Sequence, residues 1–180
     1  MRTVDEQGYH FEEWLTPAEI AKDVQQVAAR ISADYQNKEP LFIVVLNGAF
    51  VFAADLLRAL ENVRCEVTFI RVSSYWGMSS TGRLEFIVPL QQVVDQRDVI
   101  IIEDIVDSGL TIHQLKAHLR GLGATSVRVA TMLFKPCKLE YDDAKPDYIG
   151  RELSEEFVIG YGLDFDGFVR NLDAIYKVKE

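Results

Sequence analysis

Three short apolar runs constrain the fold. They are Leu41-Phe42-Ile43-Val44-Val45-Leu46, Val99-Ile100-Ile101-Ile102 and the stretch from Val127 to Phe134, all rich in branched residues. The first two are unbroken and the third is interrupted only by Arg128 and Thr131, so such strands need cover on both faces. A parallel sheet between helices provides that cover. The segments that follow supply the helices. Ala53, Leu56, Leu57 and Leu60 after the first run, and Ile112, Leu115, Leu119 and Leu122 after the second, have helical spacing. Strand and helix in alternation predict right-handed βαβ units, hence an α/β fold with a central, mostly parallel sheet flanked by helices.

Thr16-Pro17-Ala18-Glu19 reads as a capping box with proline in the first helical turn. Ile20, Val24, Val27, Ala28 and Ile31 continue it as one apolar face, which the polar stretch from Tyr35 to Pro40 ends. Cys65 to Val72 and Arg83 to Pro89 read as strands on either side of a polar, glycine-containing excursion, Ser73 to Gly82. Gly121 and Gly123 are helix-ending candidates. Beyond Lys135, short strands around Tyr148-Ile149, Phe157 to Ile159 and Ala174 to Val178 predict a small lobe over one sheet edge, built from the C-terminal segment (about 136–180). A chain of 180 residues fits one domain, 1–180.

Charge and cysteine usage narrow the function classes. Lys+Arg 19 against Asp+Glu 28 gives a net charge of −9, which argues against a nucleic-acid binder. No run approaches the roughly 18 apolar residues that cross a bilayer, and the first residues lack an apolar signal region. Cys65 and Cys137 lie far apart and outside any CxxC, the usage of reduced thiols. Together these predict a cytoplasmic protein with no membrane association.

In open α/β sheets, ligands bind beyond the carboxyl ends of the strands. Leu46-Asn47-Gly48, Glu103 to Thr111, and Lys135 fall there. The second segment is the most informative. Glu103 and Asp104 follow an apolar strand, Asp107 opens a small turn, and Ser108, Gly109 and Thr111 lead into a helix. Amides at a helix N-terminus favour a phosphate, and glycine lets the backbone approach it. Carboxylates at a strand end can accept from ribose hydroxyls. A sugar phosphate suits this arrangement. The plainer alternative makes Asp107 only a helix cap and Glu103-Asp104 a solvated strand end.

The run Val99-Ile100-Ile101-Ile102-Glu103-Asp104-Ile105-Val106-Asp107-Ser108-Gly109-Leu110-Thr111 resembles the phosphoribosyl pyrophosphate (PRPP) signature of type I phosphoribosyltransferases, in the form of the hypoxanthine (hypoxanthine-guanine) branch. Leu46-Asn47-Gly48 resembles that family's pyrophosphate loop. Ser74-Tyr75 with Ser80-Thr81-Gly82 resembles its mobile catalytic loop. Lys135, Phe157 to Tyr161, Leu163-Asp164 and Arg170 match its purine and pyrophosphate positions. The likeness runs from about residue 40 to 175.

The resemblance implies transfer of ribose 5-phosphate from PRPP to a 6-oxopurine base, with Mg²⁺ as cofactor and a homodimer or homotetramer as the assembly. Glu103 and Asp104 would serve the ribose diol and the metal, with Asp164 at a second metal site. Ile105, Val106, Asp107, Ser108, Gly109, Leu110 and Thr111 would bind the ribose phosphate, and Asp107 would exchange the proton of purine N7. Leu110 stands where the family often has lysine, so the turn keeps an amide and lacks a charge. Lys135 would donate to the 6-oxo group, Phe157 would stack on the purine, and Val158 would meet its edge. Leu46, Asn47, Gly48 and Arg170 would hold pyrophosphate. Asn47 stands where some relatives have lysine. Ser74 and Tyr75 would belong to a lid over residues 73–82. From the residues alone, Lys135 fits a surface strand end, Phe157 fits core packing, and Arg170 fits an ion pair with Asp173. The Leu46-Asn47 peptide is open between cis and a plain turn.

Other classes fit less well. Gly160-Tyr161-Gly162 lacks the third glycine of a dinucleotide fingerprint. The glycine of Asp164-Phe165-Asp166-Gly167 comes too early for a calcium loop. His113 and His118 do not share a helix face. A phosphoribosyltransferase-fold regulator that binds RNA, a receiver-like signalling domain and a xanthine-preferring transferase remain as alternatives. Guanine's 2-amino group suits backbone acceptors near Asp164, which ranks hypoxanthine and guanine above xanthine.

Overall fold

The structure is a computed structural model that describes residues 2–73 and 85–179. In chain order its elements are β1 (Thr3–Glu6), β2 (Tyr9–Leu15), α1 (Pro17–Asp34), β3 (Leu41–Leu46), α2 (Phe50–Ala59), β4 (Glu66–Ser73), β5 (Glu85–Val88), β6 (Asp98–Val106), α3 (Leu110–Gly121), β7 (Ser126–Phe134), β8 (Tyr148–Glu152), β9 (Val158–Ile159) and β10 (Ile175–Val178). Among the described residues they form two sheets. The larger has the order β5-β4-β3-β6-β7-β8, parallel throughout except for the antiparallel edge strand β5.

The apolar runs are buried on both faces. Phe42, Val44, Ile100 and Ile102 join Val24, Val27 and Ile31 of α1 and Phe52 and Leu56 of α2 in one core. Leu41, Ile43, Val45, Val99 and Ile101 join Ile112, Leu115 and Leu119 of α3 in the other. The period of two along each strand thus divides one apolar run between two cores. Leu122 departs from the expected inner face. The helix stops at Gly121, Gly123 adopts φ +89°, and Leu122 is exposed. Gly123 therefore ends the helix as its left-handed residue.

The smaller, antiparallel sheet has the order β1-β2-β10-β9. The C-terminal segment supplies two of its strands, and the N-terminal hairpin supplies the other two. Gln7 (φ +47°) and Gly8 (φ +84°) make the two-residue turn of that hairpin, which needs positive φ at both positions. Phe11 is central to the sheet's own core with Ile159, Ala174 and Tyr176.

The capping box of α1 is formed: the Glu19 amide donates to Thr16 Oγ1 at 3.3 Å, and the Thr16 amide to Glu19 Oε2 at 2.9 Å. The helix also buries a charge. Asp23, 4% exposed, accepts two bonds of 2.9 Å from Nε and Nη2 of Arg151 on β8. Removing the carboxylate strands a guanidinium whose side chain is 36% exposed, so water offsets part of the loss. Asp23→Ala should cost about 1.5–3 kcal/mol, below the full cost of breaking a buried pair. Urea unfolding at an unchanged slope reads this directly, and an unmoved midpoint would show that the pair contributes nothing. No described helix is long and apolar enough to cross a membrane.

Candidate active site

β6 is longer than its apolar run suggests. It pairs with β3 only through Ile102, then continues beside β7 as far as Val106. Glu103 and Asp104 therefore lie inside the strand and not beyond its end, as the apolar pattern implied. Their carboxylates consequently leave on opposite sides of the sheet. Glu103 lines a cleft of about 110 Å³ with Ile105, Val106, Asp107, Ser108, Gly109, Leu110, Thr111 and Ile112. Asp104 turns to the β3–α2 loop, where its Oδ2 lies so close to Gly48 that a Cβ there would sit 1.5 Å away.

Both carboxylates are deep in the protein. Burial, reinforced by the charge of Asp104, pushes the Glu103 carboxyl well above the usual carboxylate range. Its Oε2 is buried with no hydrogen-bond partner. Burial raises Asp104 to about 6, although the Ile105 amide donates to Oδ1 at 2.8 Å and Arg170 also opposes the rise. Charged acids held this way cost folding energy that a cation or a set of hydroxyl donors would offset.

The turn after β6 opens the cleft towards α3. Gly109 takes φ +83° as the residue before the helix, and the Leu110 amide donates to Ser108 Oγ at 3.4 Å. The leading amides of a helix have no partner within it, and they add to the positive end of the helix dipole. Cleft, hydroxyls and amides together form a donor-lined recess with Glu103 at its edge.

Asp107 faces two lysines. Lys135 Nζ is 3.4 Å and Lys138 Nζ 4.0 Å from its Oδ2. Lys135 is not a surface lysine: its side chain is 7% exposed, and Nζ also donates to the Glu155 carbonyl at 3.5 Å. The Asp107 side chain is half-exposed, so the acid of the pair is open to solvent while the amine is largely enclosed.

A third group gathers around Gly48. The Leu46-Asn47 peptide is cis. Gly162 (φ +98°) packs on the Gly48 carbonyl so closely that a Cβ would meet it at 2.1 Å. Arg170 donates from Nη1 to the Gly162 carbonyl at 2.7 Å and pairs through Nη2 with Asp164 at 2.8 Å. Asp173 is not its partner and bonds Arg2 instead. The other oxygen of Asp164 accepts from the Gly167 amide at 2.7 Å. Asp164 is thus already engaged, whereas Glu103 keeps an oxygen free. Among the described residues no three His, Cys, Asp or Glu side chains form a metal cage.

Phe157 is 46% exposed, and its ring packs at a steep angle on Phe165 with centroids 5.6 Å apart. Val158 is buried. Ser74 and Tyr75, with the rest of the expected lid, lie outside the described residues. Sequence reasoning passed over Gly162, Lys138 and the Glu155 carbonyl. The Gly160-Tyr161-Gly162 alternation was the available signal for the first, since all three take positive φ.

A family model described as "Phosphoribosyl transferase domain" matches residues 12–166. The match begins at residue 12, ahead of the sequence likeness that starts near residue 40, and so takes in α1. A hypoxanthine-guanine phosphoribosyltransferase of Bacillus subtilis is 40% identical over 92% of this chain and 91% of its own. A hypoxanthine-guanine-xanthine phosphoribosyltransferase of Tritrichomonas foetus is 37% identical over 90% and 88%. The crystal structure of a hypoxanthine phosphoribosyltransferase from Staphylococcus aureus superposes with a TM-score of 0.88 at 33% identity, covering 93% of this chain and 91% of that one.

Proposed function

The chain belongs to the phosphoribosyl transferase family, and from that premise we propose that it is a purine-salvage enzyme that joins hypoxanthine or guanine to the 5-phosphoribosyl group of PRPP, releasing pyrophosphate. The observation that carries the reading is the union at the ends of β6 and β7 of a buried acid pair, the Asp107–Lys135 pair and a donor-lined recess at the start of α3.

The 5-phosphate would occupy the Ser108–Thr111 cradle, bound by amides and hydroxyls. Positive charge develops on the ribose as the leaving group departs, and the carboxylates of Glu103 and Asp104 would stabilise it. Asp107 would take the proton of purine N7, or return it in reverse. Lys135, a donor only, would bond the 6-oxo oxygen. Phe157 would cover the base and the Val158 backbone would meet its edge. Gly48, its neighbours Leu46 and Asn47, and Arg170 would hold the pyrophosphate.

The acid pair also fits Mg²⁺. Glu103 offers a buried, unpartnered oxygen, and Mg²⁺ takes few protein carboxylates beside waters and substrate oxygens. Bound there, it would neutralise charge on the leaving pyrophosphate. Asp164 would join a second site only on releasing Arg170.

A base panel tests the reading. With PRPP and Mg²⁺, hypoxanthine and guanine should turn over, and EDTA should abolish both reactions. Adenine puts a donor opposite the Lys135 ammonium, so its kcat/KM should be lower by about 10⁴. Turnover of adenine or uracil alone would remove the role of Lys135. Turnover of no base by folded protein that binds PRPP would favour the regulator. Xanthine belongs in the panel because the Tritrichomonas relative is named for it.

A further inference from the structure

The cradle is backed by a segment with no place in the reaction so far. Residues 139–144 pass beneath it between β7 and β8. Gly109 lies flat on this strap: a Cβ would come within 2.7 Å of Ala144 Cβ and 2.9 Å of Leu139 Cδ1. The Glu140 amide donates to the Ser108 carbonyl at 2.9 Å. The floor of the turn is therefore set by where the strap lies.

The strap has little structure of its own. It contains a single 3-10 turn, Asp142 to Ala144. Ala144 is buried with Ile112, Leu115 and Leu119 of α3, Leu139 and Tyr141 pack against them, and Asp143 adds the polar ties. A carboxylate only accepts, so His113 donates from Nδ1 to Asp143 Oδ1, at 2.7 Å. Arg120 Nη1 lies 3.8 Å from Oδ2. Lys116, 5% exposed, donates Nζ to the Asp143 carbonyl at 2.7 Å. His113, Lys116 and Arg120 lie at helical spacing on one side of α3, and the His113 ring stacks on Tyr141 at 4.6 Å. The Asp143 carboxylate thus gathers two bases of the helix whose first turn forms the cradle, and its carbonyl a third that side-chain removal leaves in place.

We propose that Asp143 is a positioning residue for the 5-phosphate cradle, holding the 139–144 strap against α3 so that Ser108 and Gly109 keep the shape that binds phosphate. The proposal rests on the reading of that turn as the phosphate site. Its signature is the sign of the effect. Asp143 is an anion near an anion site, so charge alone would make its removal strengthen phosphate binding. Positioning demands the opposite. The carboxylate is 39% exposed, so its pairs add little to global stability.

Calorimetric binding of ribose 5-phosphate and, separately, of pyrophosphate distinguishes these. Asp143→Ala should weaken ribose 5-phosphate by about tenfold, the scale of a loosened supporting contact, with pyrophosphate binding and the KM for hypoxanthine unchanged. Asp143→Asn keeps an acceptor for His113 without the charge and should bind like the wild type. His113→Phe keeps the ring against Tyr141, loses the bond, and should weaken ribose 5-phosphate in the same direction should Asp143→Ala prove unstable. Equal or tighter binding in Asp143→Ala, or an equal loss for both ligands, overturns the proposal. Wild-type protein that binds pyrophosphate but not ribose 5-phosphate would sink the phosphate-site reading itself, and the proposal with it.

Discussion

Asp107→Asn should lower kcat for nucleotide formation by about 10²–10⁴, the usual contribution of a positioned acid or base. The substitution keeps the size of the side chain and its capacity to accept from Lys135 at 3.4 Å. It removes the ability to take a proton and the charge that faces Lys135 and Lys138. Asp107 is half-exposed and its nearer lysine contact is long, so folding stability should move by less than about 1 kcal/mol. Because most of the contacts to the base and PRPP come from other groups, both KM values should stay within a few-fold. The loss should appear equally in reverse, with nucleotide and pyrophosphate as substrates, since one group takes and returns the proton. A kcat within tenfold of wild type in both directions would assign proton transfer to water or to another side chain. Asp107 would then be only the residue that pairs Lys135.

The parts of this protein that local chemistry dictates were legible before the structure. Unbroken branched runs mean strands covered twice, and Leu41–Leu46 and Val99–Ile102 are buried on both faces. A capping box is a local geometry, and Thr16–Glu19 forms it. The carboxylates and the glycine turn after the central strand stood out as a type of chemistry. Their arrangement did not, because it depends on partners distant in the chain. β6 continues past Ile102, its last pair with β3, to Val106, which keeps Glu103 and Asp104 inside the strand, and the alternation of a strand puts them on opposite faces. No pattern within the segment encodes where a neighbouring strand stops. The partner of Arg170 is likewise chosen by the fold of 160–173, where Asp164 and the Gly162 carbonyl outcompete the sequence neighbour Asp173. The N-terminal hairpin was missed for another reason. Gln7-Gly8 is a weaker turn signal than Asn-Gly, and polar residues between Tyr9, Phe11 and Leu15 read as surface until Phe11 is seen under the second sheet.

Gly48→Ala should damage the site through a single methyl. The added carbon would lie 1.5 Å from Asp104 Oδ2 and 2.5 Å from its Cγ, overlaps that no rearrangement of a few tenths of an ångström removes. Asp104 has little freedom to yield, being deeply buried with Oδ1 held by the Ile105 amide. The loop cannot back away either, because its carbonyl is packed on Gly162. Either the carboxylate is displaced or the loop is, and a shift of about 1 Å at a reacting centre costs about 10² in kcat/KM for PRPP. Overpacking adds about 1–3 kcal/mol of destabilisation. Gly121→Ala is the matched control. Nothing lies within 4 Å of its added carbon, and it sits at the end of α3, so it should leave kcat unchanged and stabilise by up to about 1 kcal/mol. A double-mutant cycle separates space from chemistry. In an Asp104→Ala background the two worst overlaps vanish and only the 3.3 Å contact with Cβ remains. Gly48→Ala should then cost almost nothing in stability, an interaction of at least about 1 kcal/mol between the two sites. Activity should stay lost in both backgrounds, since Asp104 is needed for the reaction. Additive stability changes would mean that the loop takes up the methyl without touching Asp104, and the contact between the acid and the glycine would lose its role in shaping the site.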